Sequence, residues 1–160
     1  MSTRNRRPKA PVAITRRNLP LLLLQWRDAV LARFRPILQA HGLTEQQWRI
    51  VRALLESGPL EPRQIGRLCC ISSPSLAGVL ARMDELGLVQ REKLAQDQRR
   101  VRVSLSRSSH ALAASMAPQI EATYERLKLH LGGNFIAQLY AALDSLIGRM
   151  DELPHTGDND

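Results

Sequence analysis

The stretch DELGLVQREKLAQDQRRVRVSLS, from Asp84 to Ser106, decides the fold of this chain. Its first residues are typical of the end of a helix, and Gly87 is a natural stop for that helix. LVQREK (Leu88–Lys93) and VRVSLS (Val101–Ser106) then alternate as strands do, and they flank a basic loop from Leu94 to Arg100. The stretch therefore predicts a helix followed by a β-hairpin whose tip carries positive charge.

Two short helices are predicted upstream of this helix. TEQQ (Thr44–Gln47) is a capping-box pattern that opens the first of them, and Gly58 followed by Pro59 ends it. The second fits Glu61–Cys69, with Ile65 and Leu68 facing inward.

The helix that leads into the hairpin begins in SPSL. Ser73 is a good N-cap, and Pro74 then falls at the first helical position. Apolar residues at Leu76, Leu80 and Met83 share one face of this helix. The opposite face holds Ser75, Gly78 and Arg82. Short helices followed by a hairpin predict a winged helix-turn-helix over residues 43–106, in a fold that is mostly α with a small β-hairpin wing.

Helical patterns also flank the winged domain, at residues 19–41 and 107–150. Asn18 is a candidate cap for the first, and Pro36 is expected to kink or end it. Both segments carry more apolar surface than so small a domain can cover, which predicts a helical dimerisation region and a homodimer.

The net charge of the chain indicates which class of molecule it binds. Lys and Arg number 23 against 15 Asp and Glu, for a net charge of +8, so a nucleic acid or an anionic membrane is expected to bind. Aromatic residues are only 4%, too few for platforms that stack single-stranded bases, whereas duplex phosphates need none. The most apolar run, Leu21–Leu24, is far too short to cross a membrane. Composition thus leaves duplex recognition open, and the winged helix-turn-helix makes double-stranded DNA the predicted partner.

The ends of the chain differ in charge. Residues 1–18 are basic and contain no acid, which predicts a flexible arm that either contacts nucleic acid or only aids solubility. Residues 151–160 form an acidic tail.

The residues offer no catalytic or metal site. The four histidines, at 41, 110, 130 and 155, have no ligating partners close in sequence, and no nucleophile–base arrangement or phosphate-binding glycine loop is present. The adjacent Cys69 and Cys70 make no disulfide framework, so a reducing cytoplasm is expected, and the pair is either buried packing or a thiol switch. We predict neither enzyme activity nor a cofactor.

The chain resembles the multiple-antibiotic-resistance-regulator (MarR) family. GLTEQQWRIVRALLESGPL, SPSLAGVLARMDELGLVQRE and DQRRVRVSLS carry the resemblance, which covers residues 19–150 and is strongest to the homoprotocatechuate-degradation branch of aromatic-acid catabolism repressors. It implies a homodimeric repressor released by a small aromatic carboxylate or phenol. It also implies that Asp97 and Arg82 steady the wing and that Arg99 lies at the wing tip, with Arg100 beside it.

Recognition helix and wing together give the predicted DNA contacts. The helix contributes Ser73, Pro74, Ser75, Gly78 and Arg82, and the wing contributes Arg99 and Arg100. Solvent exposure without DNA contact remains the alternative for each of them. Arg102, which alternates with Val101 and Val103, is expected on the solvent side of its strand.

An effector that is an aromatic acid needs a flat apolar wall and a cation. Trp48 with Arg49 offers that pairing, while Trp26, Arg17 and Arg27 are further candidates. The tryptophans are otherwise core residues and the arginines surface residues. A module that binds nucleoid DNA or RNA without any ligand is the alternative function, and binding to a defined palindrome would distinguish the two.

Overall fold

A computed structural model of the chain describes residues 15–94 and 97–152, with the backbone alone at residues 94, 97–99 and 151. Within these residues, six helices and one antiparallel two-stranded sheet follow one another: α1 Leu19–Ala40, α2 Glu45–Ser57, α3 Pro62–Leu68, α4 Ser73–Glu85, β1 Val89–Leu94, β2 Asp97–Leu105, α5 Arg107–Leu131 and α6 Gly133–Asp151. This architecture confirms the predicted fold class, a winged helix-turn-helix with flanking helices. Most of the predicted arm and tail, residues 1–14 and 153–160, lies outside the described residues.

The chain divides into two compact units between Ala32 and Arg33, within α1. In the first unit, Asn18 Oδ1 accepts a hydrogen bond from the Leu21 amide at 3.0 Å, so Asn18 caps α1 as predicted. In the second, α1 continues past Pro36 to Ala40, so Pro36 does not end the helix. The buried residues Phe34, Ile37 and Leu38 compensate for the single backbone donor that proline lacks.

The winged domain has one core that every one of its elements supplies. Its most deeply buried members are Ile50 from α2, Ile65 from α3, Met83 from α4 and Val103 from β2. Leu60, between α2 and α3, exchanges two backbone hydrogen bonds with Val103, at 3.0 and 2.8 Å. The hairpin is therefore joined to the helix-turn-helix by backbone pairing as well as by side-chain packing.

Two local predictions are wrong. Leu68 is 58% exposed, because α3 spans only seven residues and the next inward position, four after Ile65, is Cys69, which is 1% exposed. The loop predicted from Leu94 to Arg100 is shorter, since β2 already begins at Asp97 and Leu94 pairs with Asp97. The two strands stay paired through their backbones in this polar segment. The side chains there do not alternate between apolar and polar, so the sequence did not predict a strand.

Candidate DNA interface

Helix α4 is amphipathic, with its apolar face anchored in the core. Leu76, Leu80 and Met83 are buried, while the residues predicted to meet DNA are exposed: Ser73, Pro74, Ser75, Gly78 and Arg82. The exposed face is made mostly of small side chains, so a duplex can approach the helix backbone closely. Arg82 is the large cation on this face, and its Nη1 donates to Glu85 Oε2 at 2.9 Å.

The start of α4 differs by one residue from the sequence prediction. Ser72 is the N-cap, so Ser73 and Pro74 occupy the first and second helical positions instead of the cap and the first position. The Ser72 hydroxyl donates to Ser75 Oγ at 3.1 Å. Both serines satisfy the capping preference, and only the backbone conformation distinguishes them, with Ser72 extended at φ −62° and ψ 148°.

Gly66 and Gly78 affect the packing around α4, the first on its inner side and the second on its exposed side. A Cβ on Gly66 of α3 would lie 3.2 Å from the Ile71 carbonyl oxygen and 3.3 Å from Leu76 Cδ2. Gly66 therefore allows α3 to pack tightly against α4, a role that the sequence analysis missed because it depends on a contact across the turn. A Cβ on Gly78 would meet nothing within 4 Å. No packing inside the protein requires glycine at position 78, which leaves that face open to a partner.

The wing residues fall into two groups. The side chains of Asp97 and Arg99 lie outside the described residues, so their predicted roles stay predictions. Arg100 lies in β2, not at a loop tip, and its exposed guanidinium donates from Nη2 to Glu61 Oε1. Glu61 is the N-cap of α3, so this ion pair joins wing to helix-turn-helix, and sequence reasoning missed it because the partners are 39 residues apart.

Arg49, the predicted carboxylate partner of an effector, has a partner within the protein. Its Nη1 donates to the Cys69 carbonyl oxygen at 2.6 Å, and the Cys69 thiol donates back to the Arg49 carbonyl oxygen at 3.6 Å. These two contacts hold α2 to the end of α3. Burial raises the pKa of the Cys69 thiol, while the Arg49 guanidinium acts in the opposite direction.

A second arginine of α2, Arg52, acts electrostatically on Tyr124 of α5. Arg52 follows Trp48 by four residues, so both project from one side of the helix. The rings of Phe34 and Tyr124 are 4.9 Å apart, and the Arg52 guanidinium lowers the pKa of Tyr124, which burial and Tyr140 raise overall. Arg52 Nη2 also donates to Glu56 Oε1 at 2.5 Å.

The other predicted effector residues belong to the first unit. Trp26 and Arg27 lie on α1, and Arg17 precedes that helix. All three are exposed.

Residues 15–94 and 97–152 contain no group of three or more His, Cys, Asp or Glu that could hold a metal ion. None of the helices there is long and apolar enough to span a membrane.

Comparison with known proteins identifies the family. A family model described as the MarR family matches residues 41–100. The homoprotocatechuate degradative operon repressor of Escherichia coli is 40% identical over 147 residues, covering 89% of this chain and 98% of the repressor. Among solved structures, transcriptional regulator PA4135 is 43% identical with a TM-score of 0.81, covering 83% of this chain and 98% of that one. NadR in complex with 4-hydroxyphenylacetate is 34% identical with a TM-score of 0.76, covering 85% and 96%.

These similarities extend over both the winged domain and its flanking helices. With 40% identity across almost the whole length of a known repressor, the chain belongs to the MarR family of DNA-binding transcriptional regulators, which are not enzymes.

Proposed function

We propose that this regulator is a homodimeric repressor of an operon for the degradation of an aromatic acid, and that a small aromatic carboxylate releases it from DNA. The observation that carries the proposal is its 40% identity to the homoprotocatechuate degradative operon repressor over 98% of that protein. The proposal places the protein in the cytoplasm, where its target DNA would lie.

Homodimerisation would use the flanking helices, residues 19–41 and 107–150. Exposed apolar side chains on α5 and α6 support this part of the proposal, since a second copy would cover them: Leu129, Phe135, Tyr140, Leu146, Ile147 and Met150. Two recognition helices would then enter successive major grooves, about 10 base pairs apart on a pseudo-palindrome.

Each half of the operator would be read by α4 and the wing. Ser73, Pro74, Ser75, Gly78 and Arg82 would face the major groove. Arg99 and Arg100 would contact the flanking minor groove, where the negative potential favours arginine, or its phosphates, and Asp97 would steady the wing through Arg82.

The effector would bind where an aromatic wall and a cation occur together. The similarity to NadR, solved with 4-hydroxyphenylacetate, supports an aromatic carboxylate as the ligand class. Trp48 remains the proposed wall, and Trp26, Arg17 and Arg27 of the first unit remain separate candidates. For the carboxylate we favour Arg52 over Arg49, because the partner of Arg52 is the exposed carboxylate of Glu56, which a ligand can replace, whereas Arg49 is bonded to the part-buried Cys69 carbonyl oxygen.

The test combines footprinting with two matched variants. The protein should protect a palindrome upstream of the operon it controls, even with excess competitor DNA. A hydroxylated benzoate, phenylacetate or pyridine carboxylate at millimolar concentration should displace it, with a coupling of about 1–3 kcal/mol.

Arg52→Met should keep operator binding and lose displacement, because only the carboxylate partner is removed. Arg49→Met should instead weaken operator binding itself, because it releases α2 from the end of α3. If Arg49→Met binds the operator normally and loses only displacement, Arg49 is the carboxylate partner. If no aromatic acid displaces the operator or quenches tryptophan fluorescence, the effector part of the proposal fails.

A further inference from the structure

A groove of about 610 Å³ lies between the start of α3 and the hairpin. Four cationic side chains and one carboxylate line it: Arg63 from α3, Arg91 and Lys93 from β1, Arg100 from β2, and Glu61 at the cap of α3. Three of these cations, Arg63, Arg91 and Lys93, have no role in the recognition face or in the wing tip described above.

The strand register explains why Arg91 and Lys93 lie on the same face as core residues. Residues 89, 91 and 93 of β1 share one face of the hairpin, because side chains alternate along a strand. Val89 is 2% exposed and belongs to the core, whereas Arg91 and Lys93 continue the same face beyond the core edge. The face that packs on the helices therefore changes from apolar to cationic where the groove begins.

Internal carboxylates neutralise only part of this charge. Glu61 accepts from Arg100, and Asp84 Oδ2 of α4 lies 3.5 Å from Arg91 Nε. Within the part of the chain whose side chains are described, these two carboxylates each contact one of the four cations, and ion pairs this exposed are weak and easily exchanged. The Asp84 contact also places the groove next to α4, so the groove continues the proposed DNA-binding face.

We propose that this groove binds a phosphodiester of the DNA backbone, and that Glu61 competes with that phosphate for Arg100 in the free protein. A phosphodiester offers two charged oxygens, which suit the paired donors of arginine better than a carboxylate shared with solvent does. On binding, the phosphate would replace Glu61 at Arg100 and neutralise the excess charge. This inference rests on the proposed DNA-binding function.

The first experiment removes the competitor. Binding of the full-length protein to a short duplex of arbitrary sequence is measured between about 50 and 200 mM salt. Glu61→Gln should bind several-fold more tightly and show a steeper salt dependence, because the Glu61 carboxylate no longer competes with phosphate for Arg100. Glu92→Gln is the matched control, since Glu92 carries the same charge on the other face of the hairpin, opposite Arg102. Equal effects of the two changes would overturn the role of Glu61.

The second experiment removes the cations. Lys93→Ala and Arg63→Ala should each reduce the magnitude of the salt slope by about 0.9, the change expected for one lost phosphate contact. Arg102→Ala, which removes the same charge from the outer face of β2, should change the slope much less. Slopes for Lys93→Ala and Arg63→Ala no different from that of Arg102→Ala would overturn the groove as a phosphate site.

A free phosphate ester presents similar oxygens, so the source of the phosphate is tested separately. Inorganic phosphate should compete with the duplex no better than chloride at equal ionic strength. Stronger competition by phosphate, lost in Lys93→Ala, would assign the groove to a free phosphate and overturn the backbone assignment. A wild-type protein that binds no duplex at low salt would refute the proposed function itself, which separates the two failures.

Discussion

Neighbouring residues of the same type have opposite environments at the turn between α3 and α4. Cys69 is buried and its pKa is raised, whereas Cys70 is exposed and holds a left-handed backbone, with φ of 49°. Cys70 is the only non-glycine among the described residues with positive φ, a conformation that costs an ordinary residue roughly 1 kcal/mol. The turn that sets the angle between these helices is therefore built without the glycine that such a conformation favours.

We predict that iodoacetamide alkylates Cys70 well before Cys69 in the folded protein near pH 8. The thiolate is the nucleophile, and burial both raises the pKa of Cys69 and blocks access to its sulfur. Peptide mass spectrometry over time would measure the two rates, with urea-unfolded protein as the control in which both react. Faster labelling of Cys69 than of Cys70 would contradict the buried placement.

The raised pKa of Cys69 also predicts how the free energy of unfolding changes with pH. Because folding raises the pKa of Cys69 above its ordinary value of 9.0, the neutral thiol is favoured in the folded state. Its contribution to the free energy of unfolding is fully present below pH 9.0 and is lost as the pH rises through the folded-state pKa.

At the scale of the element, α2 begins with the capping box that its sequence predicted. Thr44 Oγ1 accepts from the Gln47 amide at 3.2 Å, and Gln47 Oε1 accepts from the Thr44 amide at 2.9 Å. Since α2 carries Trp48, Arg49 and Arg52, the proposed effector site depends on how this helix begins.

Thr44→Ala should lower the free energy of unfolding by about 1 kcal/mol, because it removes the acceptor of the capping bond. Urea denaturation would measure the change, and Thr44→Ser, which keeps the hydroxyl, should retain most of the stability. A Thr44→Ala protein as stable as the wild type would show that the box contributes little.

Signals within a few residues made the elements predictable, and contacts across the chain made the rest unpredictable. The capping box and the stop at Gly58 lie within one turn of the helix ends that they define. The pairing of Glu61 with Arg100, by contrast, joins residues that only the folded hairpin brings together. Arg49 was predicted to meet a ligand because its sequence neighbour is Trp48, and this stays a prediction. Its bond to Cys69 spans 20 residues, so no local pattern indicated it.

For the whole molecule, the apolar surface of α6 bears on the oligomeric state. Phe135, Ile147 and Met150 are each more than half exposed in the single chain. Burying such side chains stabilises an assembly by about 25 cal/mol per Å² of apolar surface. A second copy of the chain that packs on α6 would bury them.

Ile147→Asp should convert the proposed dimer into a monomer at micromolar concentration and weaken operator binding with it, because a charge would be buried in the interface. Sedimentation velocity would measure the mass. Ser145→Asp, about 160° around α6 from Ile147 at roughly 100° per residue, is the matched control and should leave the dimer intact. A dimer that persists in Ile147→Asp would place the interface elsewhere.

The small side chains on the exposed face of α4 have a consequence for the target sites across a genome. Bidentate base contacts come mainly from Arg, Lys, Asn and Gln, and this face offers chiefly serine, alanine and glycine. We therefore expect an operator motif in which each position shows only a weak base preference. Much of the selectivity would come from the groove width and the flexibility of the duplex. Selection from random DNA would then return a family of sequences united by shape, and a sharply defined consensus in each half-site would contradict this.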